Sequence, residues 1–400
     1  MTTESAAPVA QKVPSREELV ERANSLRAQL WEAAPEVDRE RRLKTANFEA
    51  IRDAGLIQLF VPKRLGGFDA GMRTFLDVTI ALGRGCASSA WVTGVLNTGN
   101  WWAASYSEQA QDEVWSTNPF ATTAGVLAPT SAVEVVEGGV KLNGKWGYAS
   151  GSNHCDWASV CYPSVVPGGR DMNLALVPMK DLTVEDTWFI AGMRGTGSNT
   201  LVARDVFVPE HRLRSATGLL NGDNVAAGPD ASHRVSLAGL APLSLAGAQL
   251  GQAQAALDYV IEKAPKRSIT TTTYSAQSES VGFQIDLAEA SAMIAAAVKT
   301  TQDAADQLDD YAAKGEHPPE VVRTGLRVGM AQAMRQTFHA VDLLMSAHGS
   351  SAFAEVNPLQ RIWRDAGVAS RHAAFNIRVS QELAGKSLLD QNPTAVSFLV

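Results

Sequence analysis

The stretch RDAGVASRHAAFN, Arg364 to Asn376, holds a single histidine, His372, among small residues. An imidazole ionises near pH ~6.5 in water and so gives or takes a proton under neutral conditions. On a helix of small residues it is either packed core or a catalytic acid–base. Asp365, seven positions earlier and on nearly the same helical face, is placed either to orient that ring or to pair with an arginine. A second candidate stands in NGKWGYASGSNHCDW, Asn143 to Trp157, which opens with a hairpin turn. Strand alternation puts Trp146, Tyr148 and Ser150 on one face. Ser150 then belongs to a packed aromatic strand, or presents a hydroxyl to a planar group lying against the sheet. A third lies in SSAWVTGVLNTGNWWAASY, Ser88 to Tyr106. Helical spacing groups Trp91 with Val95, and Asn97 with Trp101, faces that either build core or line a pocket for a flat ring.

The glycines of GMRGTGSNT, Gly192 to Thr200, suggest a phosphate loop, but a dinucleotide fingerprint needs a helix after it, and LVARDVFVP reads as a strand. The segment is a tight turn between strands or a loop beside a cofactor. No HExxH or GxSxG stands in the chain, and the three cysteines (Cys86, Cys155, Cys161) form no CxxC, so metal and serine-hydrolase chemistry lack their usual residues. A net charge of -7 gives no footprint for nucleic acid. No basic run flanks an amphipathic stretch, no apolar window approaches a membrane span, and the N-terminus lacks a secretory pattern. A cytoplasmic protein with no membrane or nucleic-acid partner is expected.

These candidates sit on three kinds of element. Ser15 followed by Glu18 opens a long helix, SREELVERANSLRAQLWEAA, by a capping box. Helical patterns follow over 38–54, 72–82, 89–104 and 108–115. From Ala121 to Pro209 short β-branched and aromatic runs alternate with GG, NG and SG turns. Four long helical segments then span 237–263, 283–314, 319–346 and 358–389. The expected organisation is an N-terminal helical domain (1–120), a central β-barrel (121–217) and a C-terminal four-helix bundle (218–400), an α+β fold.

This order, with RGCASSAWVTGVL, GMRGTGSNTLVARDVFVPEHR and NPLQRIWRDAGVASRHAAFN, resembles the acyl-CoA dehydrogenase superfamily. Within it the chain is similar to the two-component flavin-dependent monooxygenases. The resemblance implies a homotetramer with flavin between barrel and bundle. It implies a separate NAD(P)H:flavin reductase, O2 as co-substrate, and hydroxylation of a small aromatic substrate through a C4a-hydroperoxyflavin. Reduced FMN is expected ahead of reduced FAD. Carried over by position, Ser150 meets the flavin near N5, where a fixed hydroxyl slows loss of the N5 proton. Tyr148, Pro129 and Thr130 neighbour the ring, and Arg267 meets a flavin phosphate, in some relatives from the adjacent subunit.

The resemblance also separates two chemistries. Dehydrogenases place a carboxylate base nine residues after the arginine of RD, which here is Ala373. The monooxygenases carry a histidine one position earlier, which is His372. A second histidine, found eight residues after the tryptophan of AWV in phenol hydroxylases of the group, is replaced by Gly99. Either the substrate is not a simple phenol, or another group such as His154 or a water serves, or glycine makes room for a larger substrate. The expectation is a polycyclic or heteroaromatic ring with Trp91, Asn97, Trp101 and Phe120 around it. An acyl-CoA dehydrogenase or oxidase with an unusual base, and N-oxygenation of an amine, are the alternatives.

Overall fold

The structure is a computed structural model that describes residues 13–127, 131–163, 171–397 and 399–400. The capping box forms: Ser15 Oγ accepts from the Glu18 amide and the Glu18 carboxylate accepts from the Ser15 amide, opening α1 (Arg16–Ser25). The single long helix expected here breaks at Leu26 and resumes as α2 (Arg27–Glu40). Then come α3 (Thr45–Asp53), α4 (Met72–Gly83), α5 (Ala87–Ala103) and α6 (Glu108–Trp115). Helix α5 is buried almost from end to end. Two glycines make that packing possible. A Cβ added to Gly94 would lie 2.2 Å from the Ser244 carbonyl oxygen, and one on Gly99 1.8 Å from that of Thr123.

The middle of the chain forms β1 (Thr123–Val126), β2 (Ser131–Val136), β3 (Gly139–Ala149), β4 (Trp157–Pro163), β5 (Met172–Pro178), β6 (Thr183–Glu185), β7 (Asn199–Pro209) and β8 (Leu213–Ser215). Among the described residues the expected central β region forms two four-stranded sheets, ordered β1-β4-β5-β8 and β2-β3-β7-β6. Val160, Ala175 and Val177 of one sheet share a core with Leu142, Trp146 and Leu201 of the other. The Trp146 indole donates across the gap to the Cys161 carbonyl at 2.7 Å.

Two short helices, α7 (Ala216–Leu220) and α8 (Asp223–Ala227), lead to α9 (Leu237–Lys263), α10 (Val281–Lys314) and α11 (Glu320–His348). Buried α9 packs on α4, α5 and α11, tying the N-terminal helices to the bundle. By length and composition alone, α10 is apolar enough to cross a membrane. It nevertheless packs along α11, burying Phe283, Ala290 and Ile294 and leaving Val281 and Ile285 exposed. The last expected helix is two, α12 (Pro358–Ala369) and α13 (Ile377–Leu388), parted by a 3-10 turn at Ala373–Phe375. The Asn376 side chain accepts from the Val379 amide and restarts the chain as a helix.

Candidate functional site

His372 stands at this break, not within a helix. Its backbone is extended (φ -58, ψ 146), and its Nδ1 accepts from the Ala374 amide at 3.2 Å, capping the 3-10 turn. With Nδ1 committed as acceptor, the neutral ring carries its proton on Nε2. The imidazole meets Trp91 of α5 edge to face, centroids 5.6 Å apart, and lies 6.4 Å from the Phe375 ring. The residue is exposed, yet desolvation by the protein around its ring lowers its pKa to about 4. Asp365 does not orient it. Its buried carboxylate accepts from the Met193 amide, and burial raises its pKa to about 6, with Asp38 adding to the rise.

The strand leading to Ser150 departs from simple alternation. Tyr148 has a positive φ of 62°, and the β3–β7 register shifts between Trp146 and Ala149. Trp146 therefore fills the sheet core, whereas Tyr148 swings out, 75% exposed, its ring edge against Trp188 at 5.6 Å. Ser150 turns toward α5, where the Trp91 indole Nε1 donates to its Oγ at 3.3 Å. Trp91 thus touches both candidate catalytic residues. From Ser150 a chain of hydroxyls runs inward: Ser150 Oγ to Ser198 Oγ at 2.7 Å, Ser198 to Thr196 Oγ1 at 2.7 Å, and Thr196 to the Met193 carbonyl at 2.8 Å. Sequence reading left Gly192–Thr200 as a tight turn or a loop beside a cofactor and passed over these two hydroxyls. The only signal was that Thr196 and Ser198 are hydroxyl residues placed among its glycines.

The loop is held from both sides. Arg364 of α12 pairs with the Asp38 carboxylate at 2.9 Å and donates to the Ala191 carbonyl. Arg194 Nε donates to the Asp38 carbonyl at 2.9 Å, and Asp365 holds the Met193 amide.

The remaining expected residues are placed elsewhere. Asn97 is wholly buried and occupied: it donates to the carbonyls of Leu56 and Thr93 and accepts from the Leu59 amide at 3.0 Å. Trp101 is core, its indole donating to the Ser232 carbonyl at 3.0 Å. Both were read as pocket residues because helical spacing gives a face but not its neighbour. Phe120 lies on the loop after α6, 42% exposed. His154 stacks on Phe48, centroids 4.7 Å apart. Gly99 makes no room for substrate, since its missing side chain points into the backbone of β1. Pro129 and Thr130 lie outside the described residues.

Arg267 makes its contacts at the C-terminal end of α11, donating to the His348 carbonyl at 3.3 Å and Ser351 Oγ at 2.6 Å. Around it Arg267 Nε, Gln277 Oε1 and His348 Nδ1 are buried without a partner among the described residues. Burial, with the nearby charges of Arg267 and Lys263, lowers the His348 pKa to about 4. No cluster of metal-ligating side chains occurs among the described residues.

Helical domains flanking paired sheets define the acyl-CoA dehydrogenase architecture. Residues 14–118 match the acyl-CoA dehydrogenase N-terminal domain family and residues 243–377 the acyl-CoA dehydrogenase C-terminal domain family. The chain is 31% identical over 361 residues to the flavin-dependent monooxygenase oxygenase subunit HsaA of Rhodococcus jostii (strain RHA1), covering 89% of this chain and 94% of that protein. It is 27% identical to the oxygenase component of p-hydroxyphenylacetate 3-hydroxylase from Acinetobacter baumannii, covering 94% and 90%. Among solved structures, XiaF from Streptomyces sp., in complex with FADH2 and glycerol, superposes with a TM-score of 0.91 at 38% identity, covering 94% of this chain and 96% of that one. The chain belongs to the reduced-flavin-dependent monooxygenases of the acyl-CoA dehydrogenase fold, as an oxygenase subunit.

Proposed function

We propose that this chain hydroxylates a polycyclic or heteroaromatic ring at a site between Ser150 and His372, using reduced flavin delivered by a separate NAD(P)H-dependent reductase. The observation that carries the reading is Trp91, which hydrogen-bonds Ser150 from the sheets and packs against His372 from the bundle. The residues suit a reduced flavin: a hydroxyl oxygen to accept from its N5–H, an imidazole with a proton on Nε2, and no carboxylate at Ala373 to drive α-proton abstraction from a thioester. Bound reduced flavin supplies the electrons and activates O2. Ser150 keeps the N5 proton in place, and His372 holds a proton at Nε2 for the oxygen being transferred. With Gly99 sealed against β1, no phenol-deprotonating base stands at that position, which favours an electron-rich ring that reacts without such a base.

Reduced FMN remains the expected cofactor from sequence. FADH2 is a second reading, favoured by its presence in the XiaF structure and by the orphaned polar atoms around Arg267, which suit a phosphate-bearing tail. The exposed apolar residues Val281 and Ile285 of α10 support a homotetramer in which another subunit covers that face. The test is an aerobic assay with a generic flavin reductase, NADH and either flavin, offered phenols, naphthols, indoles and amines, with products read by mass. A gain of one oxygen on an indole or fused ring supports the reading. Turnover confined to simple phenols, or reduction of bound flavin by an acyl-CoA, refutes it.

A further inference from the structure

The hydroxyl chain behind Ser150 has a direction that can be read from its inner end. A carbonyl oxygen cannot donate, so the 2.8 Å contact between Thr196 and Met193 fixes the Thr196 proton on that carbonyl. Thr196 Oγ1 then has only acceptor capacity for Ser198, so Ser198 must donate across their 2.7 Å contact. By the same step Ser150 must donate to Ser198 across 2.7 Å. Thr196 and Ser198 are almost fully buried, so water offers no other partners. The Trp91 indole occupies one acceptor position on Ser150. What remains on Ser150 Oγ is a lone pair: toward any further partner it accepts and has no proton to give.

We infer that Thr196 and Ser198 are positioning residues that fix Ser150 as a hydrogen-bond acceptor, so that the site selects reduced flavin over oxidised flavin. The inference rests on the reading that Ser150 meets flavin N5. Reduced flavin bears a proton on N5 and matches the lone pair. Oxidised flavin has a bare nitrogen there, and two acceptors facing each other leave an unmade hydrogen bond. An oxygenase that receives reduced flavin from a separate protein and releases the oxidised form gains directionality from this polarity.

The experiment measures dissociation constants for oxidised FMN and, anaerobically, for reduced FMN in the wild type and in Ser198→Ala, Thr196→Val, Ser198→Thr and Ser150→Ala. Ser198→Ala removes the acceptor behind Ser150, and Thr196→Val removes the group that holds the Ser198 proton; either change frees the Ser150 hydroxyl to rotate and donate. Ser198→Ala and Thr196→Val should therefore tighten oxidised FMN about three- to tenfold, the worth of one hydrogen bond, with little change for reduced FMN. Ser198→Thr keeps a hydroxyl and should keep the wild-type preference. Ser150→Ala should lose preference by weakening reduced FMN instead. If Ser150→Ala alters the preference while Ser198→Ala and Thr196→Val do not, the positioning role is overturned and the flavin site stands. If none of the four alters either constant, flavin is not at Ser150 and both fall. Should Ser198→Ala fail to fold, the isosteric Thr196→Val carries the same decision.

Discussion

The Trp91 indole lies edge to face against the His372 imidazole, ring centroids 5.6 Å apart, although one belongs to the N-terminal helices and the other to the C-terminal helical region. The contact joins buried helix α5 to the break between α12 and α13. It fixes the distance between the bundle's imidazole and the hydroxyl of Ser150, which the same indole holds by its N–H.

Asn97 is predicted to matter for stability and not for substrate choice. Asn97→Ala would leave the buried amide of Leu59 and the carbonyl of Leu56 unpaired. The expected loss is roughly 2–4 kcal/mol, read as a lower urea midpoint. A substrate KM shift with an unchanged midpoint would contradict this.

Gly99→Ala should also destabilise, because its Cβ would stand 1.8 Å from the Thr123 oxygen and α5 must move off β1. About 1–3 kcal/mol is expected from such overpacking, measured by chemical unfolding. A stable Gly99→His variant with new phenol hydroxylase activity would show that a side chain at this position reaches the substrate after all.

These two positions show where sequence reading stopped. The fold was legible because capping at Ser15, the turn-rich strands and the long alanine helices each carry local signals. His372 and Ser150 were singled out through family resemblance, and the structure brings both onto Trp91. The bulge at Tyr148, the helix break at His372 and the partners of Asn97 were not legible. The first and last depend on contacts between segments far apart in sequence, and the break on local caps by His372 and Asn376, none of which strand alternation or helical period encodes.

His372 should titrate near pH 4 and remain neutral with its proton on Nε2 through the working range. Its folded pKa lies below the unfolded value, so its contribution to stability is present above about pH 6.5 and is lost as pH falls toward 4. His372→Asn preserves a capping side chain without the imidazole. It should fold normally and lower oxygen transfer by about a hundredfold. An imidazole proton resonance, assigned by its loss in that variant and titrating near 6.5, would contradict the proposed state.

Asp365 carries the opposite sign. Its folded pKa is raised to about 6, so the stability linked to its protonated form is greatest below about pH 3.8 and is lost as pH rises through 6. Asp365→Asn can keep an acceptor for Met193 without the buried charge. It should gain on the wild type by roughly 2–3 kcal/mol between about pH 4 and pH 7.5, read from urea midpoints at both ends. An equal difference at both pH values would show that the carboxylate does not titrate in this interval.

The central claim is that Ser150 and His372 serve one oxygen-transferring site. It is tested most directly by supplying reduced flavin, isotopically labelled O2 and an accepted aromatic substrate, and measuring labelled product against labelled hydrogen peroxide. The wild type should place one labelled oxygen in the product and release little peroxide. Ser150→Ala and His372→Asn should consume O2 yet shift most of the label to peroxide. Unchanged partition in both variants, or product oxygen drawn from water, would contradict the account.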